Sequence, residues 1–121
     1  MILLAFGLLT VAVAIGSLLA IQFMRGAAVR RPHWAVGLTH ALIGIAGMTP
    51  LMIVVRRGQS PSGMGTANFA AYSAGLLGFA LIFGLIVALF AWRRRPPGWL
   101  VGAHASLAIA GYVLLLALVT A

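Results

Sequence analysis

The sequence predicts an all-α membrane protein, an up-down bundle of four transmembrane helices containing a tandem two-helix repeat. Three observations carry that expectation. The 121 residues are 64% hydrophobic and only 7% charged, against about a quarter charged in an ordinary soluble domain. The charged residues are eight arginines, with no lysine, aspartate or glutamate. All eight lie in the gaps between four uninterrupted apolar stretches.

The first stretch, Ile2 to Met24, opens on "MILLAFGLL". It lacks the basic start of a signal peptide, and no convincing cleavage site follows a short apolar run, so it is expected to be a retained span. The second runs from His33 to Val55, the third from Thr66 to Trp92 and the fourth from Gly98 to Thr120. Each exceeds the roughly 20 apolar residues that a crossing needs. Each must be helical, because lipid offers no hydrogen-bond partner to an open backbone. The connections, residues 25–32, 56–65 and 93–97, are short and set successive helices antiparallel in a single domain spanning 1–121.

Arginines set the expected orientation. Arg25, Arg30, Arg31, Arg93, Arg94 and Arg95 fall in the first and third connections, and only Arg56 and Arg57 in the second. Basic loops stay in the cytoplasm, which puts both termini outside. Compact, arginine-weighted loops suit a bacterial inner membrane. The net charge of +8 does not imply nucleic acid, because arginines at helix ends mark topology and meet anionic head groups. With no cysteine, disulfides, thiolate-held clusters and covalent haem attachment are excluded.

One motif occurs twice. "RRPHWAVGLTHALIGIAG" from Arg30 aligns without gaps on "RRPPGWLVGAHASLAIAG" from Arg94, with eight of eighteen positions identical. Arg30, Arg31 and Pro32 fall on Arg94, Arg95 and Pro96, and His40 falls on His104. At this offset of 64 the first and third spans show no comparable match. His40 and His104 follow Arg31 and Arg95 by nine positions, so both lie about 13 Å in from the arginines. Two spans separated by one antiparallel span run in the same direction and face each other as a parallel repeat. The two imidazoles are therefore expected at one depth across the bundle interior.

Neighbours three, four and seven residues away share a helix face. For His40 they include Gly37, Gly44 and Gly47, and for His104 they include Val101, Ala108 and Gly111. Such stripes leave room for something flat between two nitrogens. Haem b fits: its iron takes two axial ligands, commonly imidazole, its macrocycle needs apolar walls and its propionates need cations. Arg30, Arg31, Arg94 and Arg95 are the candidate propionate partners, with Arg25 and Arg93 behind them. The second ring nitrogen of each ligand is expected to donate to a backbone carbonyl or hydroxyl.

These residues resemble the four-helix membrane cytochromes b, including the cytochrome b561-like proteins, in bundle architecture and in two histidine–glycine stripes. The resemblance implies His40 and His104 as metal ligands to one haem. It departs from the two-haem pattern of the b561 type, because the only other histidine, His33, meets Pro97 in the repeat. The expected function is electron transfer to or from a quinone or partner subunits of a larger membrane complex. Such a chain is a carrier rather than a stand-alone enzyme.

Blander roles compete for the same residues. Intramembrane histidines also serve as packing residues, although ionisable groups there are costly and usually functional. Small residues such as Ala71 and Gly75, or Ala74 and Gly78, let helices approach closely. Met48 and Met52 read as core filler, and Trp34, Trp92 and Trp99 as interfacial anchors. Gln22, Asn68 and Tyr72 carry no assigned chemistry. Zinc sites need more ligands than two histidines, and no hydrolytic triad is visible. A cofactor-free anchor subunit is the alternative function, and self-association into an oligomer is compatible with either. A small transporter resembling the small multidrug resistance type is excluded by the lack of its membrane glutamate, which leaves a fluoride-channel type as the last-ranked alternative.

Overall fold

The computed structural model describes residues 1–26, 34–58, 64–93 and 95–120. They form four helices in chain order: α1 (Ile2–Met24), α2 (Trp34–Arg56), α3 (Met64–Arg93) and α4 (Gly98–Thr120). All four contain a segment long and apolar enough to cross a membrane. Twenty-three helical residues reach about 35 Å, enough for the roughly 30 Å hydrocarbon layer. The first and last spans match the boundaries expected from hydropathy. The second begins and ends one residue later, and the third extends to Met64 and Arg93.

Local chemistry sets the ends. Gly26 (φ 71°) and Gly58 (φ 59°) take left-handed conformations just beyond α1 and α2, where glycine avoids the Cβ penalty of that region. Arg95–Pro97 connects to α4 without helix, since proline cannot extend the preceding helix. The Pro97 carbonyl then accepts the amides of Leu100 and Val101, which opens α4. Pro50 lies inside α2. There it removes one ladder hydrogen bond and is itself buried.

The closest packing lies within the two hairpins, α1 on α2 and α3 on α4, and α2·α3 and α1·α4 close the ring. α2 and α4, which carry the histidines, are thus diagonal partners. Leu9, Leu51, Ala74, Leu77, Leu115 and Leu118 belong to one buried cluster. Tyr112 stacks on Phe6 at 5.7 Å. Because Thr10 already donates to the Phe6 carbonyl (2.7 Å), the 2.8 Å contact between the two hydroxyls is a bond donated by Tyr112. Ser73, fully buried, donates to the Gly111 carbonyl at 2.8 Å and ties α3 to α4. Ser73→Ala is expected to cost about 0.5–1.5 kcal/mol, the range for interhelical bonds in membranes. Denaturant unfolding in detergent measures it.

Among the described residues the packed core is one-sided. Every buried residue except Leu100 lies between the level of the two histidines and the end of the bundle that holds the chain termini. Towards the arginine end, residues 13–24, 34–39, 81–93 and 101–103 contain no buried position. Full burial is thus concentrated in the half that holds the termini, and the histidines stand at its boundary.

Candidate functional site

His40 lies six residues into α2 and His104 six residues into α4. Their ring centroids are 6.0 Å apart and their planes cross at 86°. The equal depth set by the repeat therefore becomes a close pair. The Nδ1 of His40 is 2.9 Å from the Ala12 carbonyl on α1, and the Nδ1 of His104 is 2.7 Å from the Ala80 carbonyl on α3. A carbonyl only accepts, so both Nδ1 atoms donate, and in neutral imidazole the Nε2 atoms keep their lone pairs. No described group bonds either Nε2.

The two ligand-free helices contribute in matching ways. One turn beyond each accepting carbonyl stands a glycine, Gly16 after Ala12 and Gly84 after Ala80. A Cβ at Gly16 would lie 2.8 Å from Cε1 of His40, and one at Gly84 would lie 2.8 Å from Cε1 of His104. Each imidazole rests on bare backbone. Ala12 and Ala80 are 68 residues apart, and so are Gly16 and Gly84. α1 and α3 therefore do repeat, at 68 rather than 64. Seven positions agree at that offset: Gly7, Leu8, Leu9, Ala12, Gly16, Ala20 and Arg25 match Gly75, Leu76, Leu77, Ala80, Gly84, Ala88 and Arg93. At 64 the first and third spans share no identity, but at 68 the repeat extends to them as well. The connection between α1 and α2 is longer than that between α3 and α4, and this displaces the alignment by one helical turn.

The expected glycine stripes divide. At Gly37 and Gly44 a Cβ would meet nothing within 4 Å, so the α2 face on either side of His40 is open. Gly47 and Gly111 are different: a Cβ would come within 2.8 Å of Leu9 and 2.7 Å of Leu77 respectively. These two glycines serve hairpin packing rather than lining free space. Ala108 is half-buried on the same side of α4 as His104. Gly75 also meets nothing within 4 Å and is exposed with Ala71, so this small pair packs against no helix of its own chain.

Of the arginines, Arg30, Arg31 and Arg94 lie outside the described residues, as does His33. Arg95 donates from one terminal nitrogen to the Phe23 carbonyl at 3.0 Å and covers the Phe23 ring at 5.0 Å. It caps the C-terminal end of α1, where a cation is favoured by the helix dipole. Trp34, Trp92 and Trp99 are strongly exposed near this same end, as interfacial anchors are.

The site offers two imidazoles and, among the described residues, no group of three or more His, Cys, Asp or Glu side chains that could hold a metal ion. The 6.0 Å between ring centroids is close to the roughly 6 Å that two imidazoles on one metal ion would need, given metal–nitrogen bonds of about 2 Å. The two imidazoles and the open Gly37 and Gly44 face beside His40 are compatible with a bis-imidazole haem. No protein-family model, curated protein or solved structure matches this chain.

Proposed function

We propose that this chain is a membrane electron carrier that holds one haem b between His40 and His104. The observation that supports it most is the pair itself. Two imidazoles meet at 6.0 Å with each Nδ1 committed to a carbonyl of a neighbouring helix, which leaves each Nε2 without a hydrogen-bond partner among the described residues. A bound haem b supplies a one-electron iron couple. The chain's own residues position it. The Ala12 and Ala80 carbonyls fix the tautomer and raise the basicity of the two ligands. The apolar interior excludes water. The exposed Arg25 and Arg93, together with the neighbouring connection arginines, supply cations at the propionate side.

In this reading electrons pass to or from a quinone or a redox subunit in the same membrane. The arginine-rich end faces the cytoplasm and the termini face outward, following the bias of basic loops; a bacterial inner membrane is the proposed setting. The test is a reduced-minus-oxidised spectrum of protein purified from haem-replete cells, with haem quantified per chain. One haem and sharp low-spin α and β bands are expected. A colourless, folded protein that copurifies with partners rejects the carrier in favour of a cofactor-free anchor subunit.

A further inference from the structure

We propose that α1 and α3, which hold no ligand, act as orienting cradles that lock the two axial imidazoles perpendicular to each other. This rests on the haem reading above and goes beyond it, because it assigns a role to Gly16, Gly84 and the Ala12 and Ala80 carbonyls. Each cradle has the same two parts. A carbonyl accepts from Nδ1 at 2.9 or 2.7 Å, and a glycine one turn on lets Cε1 approach to where a Cβ would be 2.8 Å away. The hydrogen bond fixes one edge of the ring, and the bare backbone lets that edge lie against the helix. Rotation about the side-chain bonds would break the first contact or lift the ring from the second.

The cradles belong to different helices related by the internal repeat. A two-fold relation about the membrane normal does not make the planes parallel, and they cross at 86°. Crossed axial planes carry an electronic consequence. Parallel imidazoles split the two iron d orbitals that point between the ligands, whereas perpendicular ones leave them nearly degenerate. A ferric low-spin haem held this way gives one strongly anisotropic electron paramagnetic resonance feature instead of a three-line rhombic spectrum. Among the levers by which a protein tunes haem, axial-ligand arrangement is the one used here.

The experiment is low-temperature electron paramagnetic resonance of the purified ferric protein in detergent, alongside Gly16→Ala, Gly84→Ala and the control Gly75→Ala. Wild type is expected to show the anisotropic feature. Either cradle variant forces its imidazole to turn and is expected to lose that feature for a rhombic signal while retaining haem. Gly75→Ala, whose Cβ meets nothing within 4 Å, should match wild type. A wild-type spectrum that is rhombic with one haem bound overturns the cradle proposal and leaves the carrier intact. Cradle variants indistinguishable from wild type also overturn it. Absence of haem from the wild-type protein overturns the carrier and the cradle together. The wild-type spectrum decides the matter even where a variant fails to fold.

Discussion

Replacing His40 or His104 by alanine should abolish stoichiometric haem and the low-spin spectrum while leaving a folded four-helix protein. The two halves of that expectation rest on different parts of the molecule. In the proposed site, haem retention would depend on both Nε2 atoms, because the described residues offer no group of three or more His, Cys, Asp or Glu to replace the pair. Folding depends on the buried cluster around Leu51 and Leu115, which lies entirely on the terminus side of the histidines. Each substitution also removes one interhelical hydrogen bond, to Ala12 or to Ala80, at a cost of about 0.6 kcal/mol. That is too little to unfold a bundle whose core is elsewhere. Absorbance of the variants, with circular dichroism and size-exclusion profiles for folding, separates the two effects. Ser73→Ala supplies the converse control, with a weakened α3–α4 contact and an unchanged haem content. Full pigment in either histidine variant sinks the assignment of the ligands.

The second large effect is expected at Gly111. Gly111→Leu should destabilise the bundle by about 3 kcal/mol, at the upper end of ordinary overpacking. A Cβ alone would stand 2.7 Å from Cγ of Leu77 and 3.1 Å from its backbone nitrogen. The side chain can swing aside, but the backbone cannot without parting α3 from α4. Helix propensity acts in the opposite direction, by about 1 kcal/mol for relieving a glycine, so the steric term decides the sign. At Gly47 the atoms nearest an added Cβ belong to the Leu9 and Leu8 side chains rather than to backbone, so Gly47→Leu should cost less. Gly75→Leu, pointing into open space, should be near neutral. Denaturant unfolding in a fixed detergent ranks the three. A stable Gly111→Leu protein contradicts the close hairpin contact.

The contrast between these glycines shows what a sequence conceals. Gly44 and Gly47 stand one turn apart on α2 and look equivalent in any stripe drawn around His40. One faces open space and the other closes on Leu9. The difference is set by the angle and height at which α1 crosses α2, and no single-helix pattern encodes a crossing. The cradles were hidden for two further reasons. Their hydrogen-bond acceptors are backbone carbonyls at two alanines, which carry no side-chain signal. Their glycines repeat at 68 rather than 64, because the longer first connection shifts the register by four residues. A comparison that allowed a gap in that connection would have found them.

The histidine pair itself was legible. Its residues share one offset with the arginine pairs, and equal depth follows from helical rise alone. Whether the rings would meet was a separate matter. Diagonal helices approach only as closely as their neighbours permit, and Gly16 and Gly84 grant that approach from α1 and α3.

The amino-acid order alone determined the four spans, their helical state and the matched height of His40 and His104. Lipid cannot hydrogen-bond a backbone, so apolar length dictates helix, and helix dictates rise per residue. Tertiary packing alone decided which half of the bundle is filled, which glycines are occupied and how each imidazole is turned. Those outcomes depend on contacts between helices distant in the chain, where one added turn of loop or one missing Cβ changes who touches whom.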